Sequence, residues 1–122
     1  MKSRDNLVRL KQFQVNERRR HLSQLDMMIS EFERMAAELD AQIQAEEKKA
    51  GITDTAHFAY PTFAKAARQR RDNLMNSHTD LAQQRATALA LLEEAQAELD
   101  KAELLEARDQ RGQDMDQRAV NG

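Results

Sequence analysis

The 122-residue chain has no cysteine and no tryptophan, one proline and three glycines. Without cysteine there is no disulfide framework, no thiol nucleophile and no thiolate zinc site. So little glycine and proline excludes a collagen-like repeat. Aromatic residues make up only 4% of the chain. That excludes a wide globular core, because Phe, Tyr and Trp normally supply much of the buried area. No run of about 18 apolar residues occurs, so no transmembrane helix is expected. The opening MKSRDNLVRL lacks the continuous apolar stretch of a signal peptide. With no cysteine and no export signal, the expected compartment is the cytoplasm. At about 100–200 residues per domain, the length allows one domain.

Charge is what the chain has in quantity. Charged residues are 33% of the total, with 19 Lys+Arg against 21 Asp+Glu, and the mean hydropathy is −0.84. Such a composition leaves disorder or long helices, and periodicity decides between them. Val8, Val15, Leu22, Ile29, Ala36 and Ile43 recur every seven residues, and Leu25, Phe32 and Leu39 form a second row three residues on. Further along, Tyr60, Ala67, Leu74, Leu81, Ala88, Ala95 and Ala102 repeat the pattern, with Ala64, Leu92 and Leu99 completing the seam. Sustained seven-residue spacing keeps one stripe facing a partner helix and identifies a coiled coil.

Local signals place the ends. Ser3 suits an N-cap, and Asp5 suits the first turn, where the helix dipole favours negative charge. Lys48 and Lys49 suit a last turn, and Gly51 suits the left-handed position that follows it. Asp54 can cap a short turn around residues 55–59, and Pro61 fits the first turn of the next helix. The expected plan is all-α: a long antiparallel two-helix coiled-coil hairpin. Helix one covers about 4–49, the turn 50–60 and helix two about 61–110, with a frayed polar tail over 111–122.

The charge blocks agree with that pairing. Residues 1–20 hold seven basic and two acidic side chains, and residues 21–49 hold three and seven. Residues 50–73 hold four and two, and residues 74–110 hold three and eight. Folding the chain back at the turn lays each basic block beside an acidic one, which selects register and orientation even though each exposed pair is weak. Lys11, Arg18, Arg71, His78 and Arg85 fall on seam positions, where each polar layer weakens the packing. A two-helix hairpin covers one stripe of each helix, which leaves room for self-association into a four-helix bundle.

No catalytic pattern is present. The serines lack a G-x-S-x-G setting, the three histidines are not in metal-ligand spacing, and no glycine-rich phosphate loop occurs. A non-enzyme with no cofactor and no metal is expected. The clusters Arg18–Arg20 and Arg68–Arg71 could contact phosphates, the alternative being a nucleic-acid-binding arm. Their expected role is to pair with the facing acidic blocks, because nucleic-acid binders usually carry a net basic domain and here the pI is 5.9. A purely structural oligomerising coiled coil is the other alternative. Of five aromatics, Phe58, Tyr60 and Phe63 cluster at the turn, either plugging that end of the hairpin or forming a docking patch. Leu7, Leu10 and Phe13 lie off the seam stripe near the base, a second candidate contact surface.

The stretches MKSRDNLVRLKQFQVNERRR, QLDMMISEFERMAAELD and HFAYPTFAKAARQRRDNL resemble the flagellar export protein FliJ family in its alphaproteobacterial form. The resemblance covers about residues 1–80. It implies a small cytoplasmic component of the flagellar type III export apparatus, peripheral to the inner membrane at the flagellar base. The family is an antiparallel coiled coil shaped like the rotor subunit of rotary ATPases. The partners implied are the hexameric export ATPase, the cytoplasmic domain of the export gate, and export chaperones. Tyr60 and Phe63 match the family's Tyr-x-x-Phe spacing at the gate-docking stretch, and Phe58 lies beside them. The family's enteric members also carry tyrosines near the end of helix one, whereas residues 33–57 here contain no Phe, Tyr or Trp. By analogy of shape, the base would enter the ATPase ring, with Leu7, Leu10, Phe13, Arg4, Arg9 and Lys11 as the candidate contacts.

Overall fold

The structure, a computed structural model, describes the backbone of residues 2–121 and the side chains of residues 5–120. It is an all-α helical hairpin. Helix α1 runs Lys2–Ala50 and helix α2 runs Thr62–Asn121. No strand occurs among the described residues, and no helix there is long and apolar enough to cross a membrane.

The helix ends follow local chemistry, with three shifts from expectation. α1 starts at Lys2, so Ser3 lies within the helix rather than capping it, and its side chain is outside the described residues. Asp5 sits in the first turn and Lys48 and Lys49 in the last, each sign matched to the dipole. Gly51 then takes a φ of 71° and donates its N–H to the Glu47 carbonyl at 2.8 Å. A side chain there would crowd the backbone, which is why glycine ends this helix. Pro61 stands one place ahead of α2, its carbonyl accepting from Lys65 N–H at 3.0 Å. It is the N-cap rather than the first helical residue.

The third shift is larger. α2 continues to Asn121, through the stretch expected to fray. Gly112 costs about 1 kcal/mol relative to alanine in a helix, but no proline follows, and Gln, Met, Arg and Ala tolerate the conformation well.

Packing divides the hairpin into two compact units. One comprises residues 24–85; the other comprises residues 1–23 together with residues 86–122. In residues 24–85 the buried apolar side chains are Leu25, Ala36, Ile43, Tyr60, Ala64, Ala67 and Leu81. In the other unit they are Val15, Ala88, Ala95, Leu99 and Ala102, with Val8 and Leu92 packed against the Val15–Ala95–Leu99 cluster. Every one of these belongs to the seven-residue rows. Large faces small across the seam, as Val15 does Ala95, so a chain with few aromatics still closes a narrow core.

Candidate functional site

Residues 24–85 carry an acid–base ladder along one edge of the seam. Asp26, Glu33, Asp40 and Glu47 are spaced by seven on α1, each one place beyond the Leu25–Phe32–Leu39 row or its continuation. Arg85, His78 and Arg71 are spaced by seven on α2 and face them in reverse order. Arg71 Nη1 donates to Asp40 Oδ1 at 2.8 Å, His78 Nε2 meets Glu33 Oε1 at 2.9 Å, and Arg85 Nε donates to Asp26. Donating to Asp40 raises the Arg71 pKa further above its ordinary value, and donating to Asp26 does the same for Arg85. On the α2 seam of this unit Arg71, His78 and Arg85 each lean across to an acid on the opposite helix.

The last rung is built differently. The next seam position in the basic row is Ala64, whose small side chain leaves space beside Glu47. Tyr60 and Arg68, one turn to either side, converge there. Tyr60 donates its hydroxyl hydrogen to Glu47 Oε2 at 2.9 Å, Arg68 Nη2 donates to the same oxygen at 3.0 Å, and Arg68 Nε donates to the Tyr60 hydroxyl at 2.8 Å. The Arg68 guanidinium also lies 6.0 Å from the centroid of the Tyr60 ring. Glu47 is a buried carboxylate, held below the ordinary carboxylate range first by Arg68 and then by Tyr60.

This rung separates the three aromatics of the turn. Tyr60 is buried and its hydroxyl is engaged, so it belongs to the core. Phe58 is 96% exposed and Phe63 56% exposed. The turn that presents Phe58 is held by its own hydrogen bonds. Asp54 Oδ1 accepts from Ala56 N–H at 2.9 Å and the Asp54 carbonyl accepts from His57 N–H at 3.1 Å. Nδ1 of His57 accepts from Ala59 N–H at 3.0 Å, and the Phe58 ring stacks on the imidazole at 4.8 Å between centroids. Phe58 is thus an exposed aromatic on a pre-ordered loop.

At the base, Leu7, Leu10 and Phe13 are all exposed, Phe13 most at 61%. Arg9 is exposed beside them. Lys11 is committed elsewhere: its Nζ donates to Glu98 Oε2 at 2.8 Å, which holds the Glu98 carboxyl below the ordinary range. The Arg4 side chain lies outside the described residues.

The basic clusters are largely engaged. Arg19 reaches Gln96 at 3.4 Å, Arg20 pairs with Glu17 at 2.7 Å, and Arg68 and Arg71 pair across the seam. Arg18 and Arg70 make no ion pair among the described residues. Two open grooves complete the picture, one in each unit. In residues 24–85, Met35, Leu39 and Leu74 floor a groove of about 430 Å³. In the other unit, Phe13, Leu91 and Ala95 lie in a groove of about 560 Å³ that Glu17, Arg18 and Glu94 border. Among the described residues no three His, Asp or Glu side chains converge as a metal ion would require.

Sequence reading located the exposed residues of the turn and base but missed the ladder and the grooves. Both acidic and basic rows were visible as sevenfold spacings, yet counting charge by block averaged them away. No protein-family model matches the sequence, and no curated protein or solved structure is significantly similar to it.

Proposed function

We propose that the chain is a non-enzymatic accessory component of flagellar type III protein export. In this reading it binds the export ATPase ring and the cytoplasmic domain of the export gate, assists export chaperones, and resides in the cytoplasm at the membrane base of the flagellum. The observation that carries the reading is the turn: two aromatics, Phe58 and Phe63, stand exposed on a hydrogen-bonded loop where an apolar side chain gains nothing by facing water. The resemblance of residues 57–74 to the family's gate-docking stretch supports the same assignment. The exposed Leu7, Leu10 and Phe13 supply a separate apolar cluster for a second partner, the ATPase.

A pulldown from motile cells should recover the export ATPase and the gate protein; recovery of neither would sink the reading. Phe58→Ala and Phe63→Ala should each weaken gate binding by about tenfold or more, the range of an interface hot spot, while helicity stays unchanged. Unaltered affinity in both would remove the turn from the interface. Tyr60→Phe should act differently, lowering thermal stability through the loss of its bond to Glu47.

A further inference from the structure

The two edges of the seam in residues 24–85 are unlike. Along one, the four acids of α1 are paired with the bases of α2, and the edge is closed. Along the other runs the groove floored by Met35, Leu39 and Leu74. Met28 and Met35, one heptad apart on that edge, are 47% and 36% exposed. Methionine stems exposed in a row are costly to hydrate and adapt readily to a packed partner.

The rims of this groove identify what covers it. On the α1 side stands Glu38, and on the α2 side stands Arg70, both lining the same groove. The Asp40–Arg71 pair fixes their levels: two residues before Asp40 on α1 and one before Arg71 on the antiparallel α2, they stand about 4.5 Å apart along the axis on opposite walls, within the reach of a long arginine side chain. Arg70 makes no ion pair among the described residues. Glu38 accepts from Arg34 on its own helix at 2.6 Å, but its side chain is 60% exposed, and a carboxylate has lone pairs for a second donor. An acid on one wall and a base on the other, within one helical turn of each other along the axis, make a face that complements itself. A second copy turned by half a rotation about an axis along the groove would lay its α2 over α1 and its α1 over α2. Glu38 would then meet Arg70 of the second copy and Arg70 would meet Glu38, two identical pairs flanking a continuous apolar floor.

We infer that this edge of residues 24–85 is a homodimer interface, in which two hairpins pack groove to groove as a four-helix bundle with their turns at the same end. The contact is isologous, so one patch satisfies both partners and the assembly closes at two. A helix of an unrelated protein would have to match an acid on one wall and a base on the other; a second copy already does. The inference goes beyond the export reading and is independent of it.

Sedimentation equilibrium of the full chain at neutral pH, from micromolar to submillimolar concentration, tests it. The mass should rise with concentration from 14.0 kDa toward about twice that value and stop there. Glu38→Lys and Arg70→Glu should each weaken the dimer by about tenfold or more, because each sets like charges face to face. The double reversal should restore most of the loss. Met35→Glu should abolish the dimer, and circular dichroism should show all four variants folded, since these side chains are not in the core. A chain that stays monomeric throughout overturns the inference and leaves the groove to a helix of another protein. A dimer indifferent to both single reversals, or a double reversal no better than the worse single one, overturns it equally.

Discussion

Residues 24–85 and the unit formed by residues 1–23 and 86–122 share one heptad pattern but use it differently. The former interrupts its apolar rows with charge at every second layer and pairs each charge across the seam. The latter carries Lys11 and Arg18 on its α1 seam but keeps its α2 row apolar, gathers Val15, Ala95 and Leu99 into one cluster with Val8 and Leu92, and has Lys11–Glu98 as its cross-helix ion pair among those described. Apolar layers supply stability but tolerate displacement by whole heptads, because one Leu or Ala layer resembles the next. A ladder of acids and bases adds little stability at each rung, yet it discriminates between registers. Slipping α2 by seven residues would set an acid against Ala64 or Leu92 and strip Glu47 of Tyr60 and Arg68.

The largest expected effect separates the two units by their cores. Leu99→Ala should cost about 2–5 kcal/mol, the range for a buried leucine, and so should Leu25→Ala. Native-state amide exchange should accelerate most in residues 1–23 and 86–122 for Leu99→Ala, and most in 24–85 for Leu25→Ala. Equal acceleration throughout in both variants would erase the distinction. Next comes Gly51→Ala, which forces a side chain into φ 71° and should lower stability in urea by about 1–2 kcal/mol. Smaller still is the ladder. A double-mutant cycle on Asp40→Asn and Arg71→Gln should give a coupling of about 0.2–1 kcal/mol, fading at high salt.

Acid should sharpen the contrast through opposite signs. Glu47 has a lowered pKa in the folded protein, so its contribution is fully present above the ordinary carboxylate range and is lost as pH falls through the lower folded value. Glu106 has a raised pKa, first because its carboxyl hydrogen-bonds Asp5 and then because of desolvation and the repulsion between them. Protonating it removes that repulsion, so its penalty stands above the raised value and is relieved as pH falls through it. Thermal melts across mild to strong acid should therefore show Glu47→Gln flattening the strongly acidic loss and Glu106→Gln stabilising the protein at neutral pH. A Glu106→Gln variant less stable than the parent at neutral pH would remove the carboxyl pair from this account.

The division between what could and could not be read in advance follows periodicity. Every residue assigned to the two apolar rows is buried or half-buried, because sevenfold spacing constrains which face of a helix must leave water. The antiparallel arrangement was legible from the blocks of charge. Tyr60 was harder: it belongs both to the apolar row and to the aromatic cluster, and only the convergence of Glu47 and Arg68 on its hydroxyl shows that the core claims it. The grooves were illegible for a different reason, since a groove depends on the gap between two helices and on rotamers rather than on the order of residues. The tail misled because its polar composition argues against a packed face, whereas helical backbone requires no packed face to form.

That last point has a consequence for how the protein melts. On the register that sets Val15 against Ala95, residues 110–121 of α2 extend past the first residue of α1, and Met115 and Val120 are exposed there. They form a segment about 18 Å long whose helicity rests on local propensity alone. A lone segment of that length obeys helix–coil statistics and unwinds gradually, from its free end inward. The seam-packed remainder unfolds as cooperative units. The ellipticity recorded on heating should therefore drift before the main transition, and the steepness of that baseline measures the segment rather than the core.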